Sequence, residues 1–345
     1  MKKTGISRRD FLRGTAAGAL TVAAAGLLGC GTPAATTTEA PETNAPETKA
    51  PETTPAPETQ APVAEAPAAN DWLGTAPVIA DSDVVATYDA DVVVVGAGTS
   101  GLFAACAAVE EGAKTILIEK MNEAWGGNGI RDTLAAIGSK QQIANNDNPD
   151  KFDAINELYR QSNGYGNQKL YKVWADKSGE AIDWYTDILA KNGVKFMHEI
   201  DDHSKNMRMP IVDVGHSIQW EGRPYNPTFT APFLKDYGKS LGLEIQYDTA
   251  MVSLIKDGNK VTGLYAKTEA GYVRYNASKG VIVCTGGYSL NYDMLNALQP
   301  DTVALINNNS SFPGVTGDGI KACIWAGGAF DDQHCGMIFD RGAIK

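Results

Sequence analysis

The sequence predicts an α/β fold built on a parallel sheet, and three features carry that reading. Asp91-Val92-Val93-Val94-Val95 is a β-branched run that stays apolar after its first residue, the mark of a strand covered on both faces. It runs straight into Gly96-Ala97-Gly98-Thr99-Ser100-Gly101 and then into Leu102 to Glu111, an Ala-rich helical stretch with Gly112 as its stop signal. A second β-branched run, Thr115 to Ile118, ends on Glu119, 18 residues after Gly101.

Ahead of this core the chain has a different character. Residues 1–30 carry a basic start (Lys2, Lys3, Arg8, Arg9, Arg13), an apolar stretch from Thr15 to Gly29, and a small-residue end at Gly29-Cys30. This reads as a signal segment and is short for a spanning helix. Ser7-Arg8-Arg9-Asp10-Phe11-Leu12 resembles the twin-arginine export signal, and Leu27-Leu28-Gly29-Cys30 resembles a lipoprotein lipobox with Cys30 as the lipidated residue. An ordinary basic flank and a chance cysteine are the plain alternatives. Twin-arginine export carries folded cargo, so it implies a cofactor loaded before transit and a final place on the outer face of the cytoplasmic membrane or in the cell envelope.

Residues 31–87 are expected to be a disordered linker. From Thr32 to about Ala69 the chain is Pro, Thr, Glu and Ala, with Ala-Pro-Glu-Thr starting at Ala40, Ala45, Ala50 and Ala56. Such a segment has little apolar surface with which to offset its ordering entropy. Its prolines favour extended polyproline II, giving a reach on the order of 100 Å at ~3.1 Å per residue. The segment reads as a stalk between a lipid anchor and a catalytic body, or as a plain spacer.

The formal charge of −11 argues against nucleic acid as a partner, because no basic stripe is present to neutralise phosphates. Besides Cys30, the cysteines are Cys106, Cys284, Cys323 and Cys335, isolated and mostly inside apolar runs. Nothing in their spacing suggests covalent haem or an iron–sulfur cluster. Buried structural thiols are the expectation.

In the glycine motif each residue has a physical task. Gly96 makes the tight turn, Gly98 lets the backbone approach a pyrophosphate, and Gly101 lets the helix pack close to the strand. The pyrophosphate is expected on the helix N-terminus, where free N–H groups and the helix dipole favour negative charge. Glu119 is expected to accept hydrogen bonds from the ribose hydroxyls. A lone glycine turn would be weak, but strand, turn, helix, strand and acid follow in order.

The motif alone does not separate FAD from NAD. Downstream come Glu119-Lys120, Trp125-Gly126-Gly127-Asn128 and Ala135-Ala136-Ile137-Gly138-Ser139, and here the chain resembles the FAD-binding domain of the fumarate reductase and flavocytochrome family. Val281-Ile282-Val283-Cys284-Thr285-Gly286-Gly287 resembles that family's strand and Ala-Thr-Gly-Gly turn, and Thr316-Gly317-Asp318-Gly319 resembles its Gly-Asp-Gly. Asp248-Thr249-Ala250-Met251-Val252 reads as a strand before a hairpin turn at residues 257–260. Singly, each match could be a plain turn; together they keep the family's order.

The resemblance implies a Rossmann-like FAD-binding domain over residues 88–330, a parallel sheet with helices and a β-meander. It implies cofactor contacts from Gly96, Gly98, Ser100, Gly101, Glu119, Lys120, Gly126, Gly127, Asn128, Val252 (through its backbone, to the adenine), Thr285, Gly286, Gly287 and Asp318. It further implies flavin-mediated reduction of the C=C bond of an α,β-unsaturated small molecule, with electrons from a cytochrome or quinol-linked donor at the membrane. A non-catalytic FAD-binding fragment and a ketosteroid-dehydrogenase-like flavoprotein are the alternatives. The family's substrate clamp follows the Gly-Asp-Gly helix, so residues 331–345 are expected to be only its beginning. The family's proton-donor Arg finds no match, and no catalytic residue is carried over; His334 and Arg341 lie near where substrate-side groups start.

Residues 150–240 read as several helices, with apolar periodicity from Lys169 to Ala190 and Asn192-Gly193 as a stop. His198, His203 and His216 fall in this stretch, but spacings of 5 and 13 do not place ligands one helical turn apart. Core or solvated histidines are expected, and no metal.

Overall fold

The computed structural model describes residues 72–124, 133–147, 149–198, 214–219, 230–305 and 314–331. A 3₁₀ turn at Asp81–Asp83 leads into β1 (Val84–Val95), followed by α1 (Thr99–Glu110) and β2 (Thr115–Ile118). β1 thus begins inside the stretch expected to be linker, and Trp72 is already buried. Next come β3 (Thr133–Ala135), α2 (Lys140–Ala144), α3 (Lys151–Gln161), α4 (Gln168–Lys191), β4 (Lys195–His198), β5 (Gly215–Gln219) and α5 (Thr230–Ser240). The chain then makes β6 (Glu244–Gln246), β7 (Ala250–Asp257), β8 (Lys260–Thr268), β9 (Gly271–Val283), α6 (Tyr292–Leu298), α7 (Pro300–Leu305) and α8 (Asp318–Trp325).

The main sheet has the order β6-β2-β1-β9-β8-β7. Its first four strands are parallel, with Val95 opposite Ile118 on one side and Val283 on the other. The last three form an antiparallel meander. Register shifts in β1 between Val84 and Ala86 and between Ala90 and Val92 mark bulges. Bulges bend a strand and increase its twist, so the meander curls over one face of the parallel part.

Side-chain alternation explains the layers. Val94 and Leu117 face a helical side, where they pack with Leu102, Ala105 and Cys106 of α1, Tyr185 and Leu189 of α4, and Leu234 of α5. Val93, Val95, Ile116 and Ile118 point the other way and meet Met251, Leu264 and Tyr275 of the meander and Ala322 of α8. Both faces are therefore covered, as the uninterrupted valine run requires.

Helix α4 follows the sequence periodicity closely. Asn167 caps its start by accepting from Lys169 N–H, and Asn192 and Gly193 (φ +73°) end it. The expectation of helices alone over residues 150–240 is incomplete. β4 and β5 pair antiparallel with each other, and β3 pairs with β5, in a second, three-stranded sheet. Strands of three to five residues are too short to show a period, and their partners are remote in sequence.

Candidate cofactor site

The parallel strands end on a single edge, and the glycine turn forms there because β1 has no room to continue. Gly96 adopts φ +97°, and a Cβ on it would lie 2.5 Å from the Cys284 carbonyl oxygen. Two loops leaving adjacent strands therefore touch backbone to backbone, and only glycine permits it. A Cβ on Gly101 would lie 1.7 Å from the Gly96 carbonyl oxygen, so α1 starts directly against the turn. Gly98 is the N-cap of α1 and offers no side chain to cap it, and the first turn holds no acid. That arrangement suits an anion at the helix start.

Glu119, the residue after β2, closes the turn from the other side. Its Oε2 accepts from Ala97 N–H at 2.6 Å and its Oε1 from Met121 N–H at 2.9 Å. A carboxylate has about four acceptor positions, so capacity remains for ribose hydroxyls. The backbone of Glu119 is fixed as well, donating to the Gln246 carbonyl and accepting from Thr249 N–H.

The segment leading to Val252 is tied to this acid, since Asp248 N–H donates to the Met121 carbonyl. Val252 falls at a register shift between Met251 and Ser253, the extra residue of a bulge in β7. Its backbone groups are displaced from the β8 ladder on a strand at the sheet's edge, where a base could take them up.

After β9, Cys284 N–H donates to the Val95 carbonyl, and Thr285-Gly286-Gly287 turns away, with Gly286 at φ +71°. The Thr316–Gly319 turn docks on it: Gly317 N–H donates to the Gly287 carbonyl, and a Cβ on Gly319 would meet Thr285 Oγ1 at 2.2 Å. Lys120 Nζ lies 2.7 Å from Asp318 Oδ2 and 2.7 Å from Thr316 Oγ1. Ser100 is hydrogen-bonded to the Cys284 thiol, whose pKa is raised by burial and lowered in lesser part by that bond.

The structure thus gathers Gly96, Gly98, Ser100, Gly101, Glu119, Lys120, Thr285, Gly286, Gly287 and Asp318 about one sheet edge, and ties the lead to Val252 to the same acid. Gly126, Gly127 and Asn128 lie outside the described residues, as do Cys30, His203, His334 and Arg341. His198 and His216 pair across β4 and β5, with ring centroids 5.2 Å apart. Both are buried core histidines, with Asp147 Oδ2 3.1 Å from His198 Nε2 and Ser139 Oγ 2.8 Å from His216 Nε2.

Sequence reasoning did not single out Ala97, Asn291 or the backbone of Asp248. Asn291 caps α6 and donates to the Thr316 carbonyl; an Asn ahead of an apolar helical stretch is a legible cap signal. Asp248 has φ +49°, which no local pattern announces.

A parallel sheet whose strand order reverses about β1, with a glycine turn, an acid after the second strand and a second glycine turn after β9, defines a dinucleotide-binding domain. The chain belongs to the FAD binding domain family, whose model matches residues 91–338. It is 29% identical over 288 residues to a fumarate reductase (cytochrome) of Shewanella frigidimarina, covering 77% of this chain and 45% of that protein. It is 34% identical over 192 residues to a digoxin reductase of Eggerthella lenta, covering 53% of this chain and 28% of that protein. Its fold matches a 3-ketosteroid-Δ4-(5α)-dehydrogenase of Rhodococcus jostii RHA1 with a TM-score of 0.59 at 21% identity, over 72% of this chain and 56% of that one. The chain spans less than half the length of these two curated relatives. FAD is the cofactor the family defines, and the clash-free glycines and the Glu119 carboxylate fit it.

Proposed function

We propose that the protein is an exported, lipid-anchored FAD-dependent oxidoreductase that reduces the C=C bond of an α,β-unsaturated small molecule. The observation that carries the reading is the convergence on one sheet edge of segments about 200 residues apart, each shaped for part of a dinucleotide. The relatives named as reductases support the direction of the chemistry. The first turn of α1 holds the pyrophosphate, Glu119 orients the ribose, and the backbone at Val252 holds the adenine. Thr285 to Gly287 and Asp318 line the flavin-side edge, with Gly126, Gly127 and Asn128 assigned to the cofactor by their motif. Bound FAD would supply the hydride and single-electron chemistry. The signal at residues 1–30 and Cys30 support a place at the outer face of the membrane, where a cytochrome or quinol-linked donor supplies electrons.

The test uses protein made from its full gene, purified with its flavin and reduced anaerobically. Stopped-flow mixing with fumarate, an acrylate or a steroid enone should give rapid, saturable reoxidation by at least one. Reoxidation by oxygen alone, with every unsaturated acceptor inert, rejects the reductase reading and leaves a flavin-binding protein with another task.

A further inference from the structure

The Pro-rich stretch gives way to the folded body at Trp72. From Thr32 to Asp71 the sequence has no aromatic residue and no leucine, so Trp72 is the first side chain with the apolar area to hold the chain down against its ordering entropy. It is 7% exposed, and its ring packs on Phe330 with centroids 5.8 Å apart. Two residues on, the Gly74 carbonyl accepts from Trp325 Nε1–H at 3.2 Å. Residues 74–78 are themselves exposed, a strap over the surface whose start these two contacts hold.

Both contacts fall on the last turn of α8 and the residues just after it. Gly327 N–H donates to the Ile324 carbonyl and Gly328 N–H to the Cys323 carbonyl, with Gly327 at φ +96°. That is the Schellman ending of a helix, and it turns the chain so that Phe330 meets Trp72. From β7, Lys256 Nζ lies 2.6 Å from the Ala326 carbonyl. The other end of the same helix, about 12 Å away, belongs to the cofactor edge. There Gly317 N–H donates to the Gly287 carbonyl, and a Cβ on Gly319 would meet Thr285 Oγ1 at 2.2 Å. Packing this close leaves no slack, so a displacement of α8 is passed on to Thr285.

We propose that Trp72 is a positioning residue for the cofactor site: docked on the last turn of α8, it holds the first turn of that helix against Thr285 to Gly287, so that strap and cofactor stabilise one another through the helix. The proposal rests on the FAD reading of this edge. Trp72→Ala frees the strap, lets α8 shift and weakens FAD binding about three- to tenfold, the scale of a coupling carried by packed elements. Coupling is reciprocal, so bound FAD holds the strap down by a similar factor. A staple that serves stability alone would not respond to the cofactor.

Two measurements on the full chain test this. Flavin fluorescence titrates the flavin-free wild type and Trp72→Ala with FAD. Chymotrypsin, with the products followed by mass, reads strap opening in the wild type: Trp72 is buried, so cleavage after it requires release from α8 and tracks the population of the open form. Cleavage after the exposed Tyr165, between α3 and α4, is the reference. The proposal expects the affinity loss in Trp72→Ala and, relative to the Tyr165 site, about three- to tenfold slower strap cleavage at saturating FAD. Unchanged affinity in Trp72→Ala overturns it, as does strap cleavage that FAD slows no more than cleavage after Tyr165. If Trp72→Ala does not fold by circular dichroism, the wild-type cleavage comparison decides alone. A wild type that takes up no FAD rejects the underlying FAD reading, a result distinct from a wild type that binds FAD while its strap is cut at an unchanged rate.

Discussion

At the scale of residues, the glycine turn tolerates no side chain where α1 meets it. Gly101→Ala puts a methyl group 1.7 Å from a backbone carbonyl oxygen, so either α1 tilts or the turn opens. A stability loss of about 1–3 kcal/mol or more is expected, read by urea unfolding, together with weakened FAD binding. Unchanged urea midpoint and affinity would mean that the helix and turn do not touch as described. Glu119→Ala removes the acceptor of Ala97 and Met121 N–H, so it should lower the melting temperature of the flavin-free protein as well as FAD affinity, the latter by about 1–3 kcal/mol. Loss of affinity with no change in melting would show that the carboxylate serves only the cofactor. These residues were legible in the sequence because each answers a local requirement: a positive φ, a close backbone approach, or an acid at the end of a strand. The bulge at Val252 and the left-handed Asp248 were not, since register against β8 and the run beside Met121 create them.

At the scale of elements, the helices declared themselves and the small sheet did not. α4 has a capping Asn, an apolar face and a glycine stop, all local signals, whereas β3, β4 and β5 depend on one another across gaps the sequence pattern does not bridge. What holds that sheet to α2 is polar. His216 Nδ1 lies 3.0 Å from the Val214 carbonyl, which can only accept, so Nδ1 carries the proton and Nε2 accepts from Ser139. Ser139 is the N-cap of α2 and completes a capping box with Gln142. Burial pushes the His216 pKa below its ordinary value; the Val214 carbonyl is the largest influence the other way, the nearby His198 adds to the lowering, and the Leu134 backbone and Asp183 oppose it in lesser part. Asp147 faces the pair through its contact with His198. Because the folded imidazole resists protonation, its contribution to stability is whole above the unfolded value of 6.5 and is lost as the pH falls through the lower folded value. Urea midpoints measured from pH 7.5 to 5 should decline, and His216→Gln should flatten the decline. An equal slope in the variant would assign the acid sensitivity to other groups.

At the scale of the whole molecule, a Pro-rich stretch precedes the folded body, and the parallel core of that body was readable from residues 91–119. The path by which the meander curls back was not, because it follows from bulges in long strands. The proposed export and lipidation signal at residues 1–30 makes its own prediction: replacing Arg8 and Arg9 with Lys should hold the protein in the cytoplasm, and Cys30→Ser should release it from the membrane fraction, both followed by cell fractionation. Unchanged fractionation of the Cys30 variant would end the lipid-anchor reading, and unchanged export of the arginine variants would indicate another route. The pairing of β1 with β9 also bears on synthesis. Val95 and Val283 are neighbours in the sheet although roughly 190 residues separate them. At about 5–20 residues per second, one flank of the central strand waits on the order of 10–40 s for its partner after leaving the ribosome. During that interval its unpaired edge is open to the wrong strand, and a chaperone that shields nascent chains would find a target at residues 92–95.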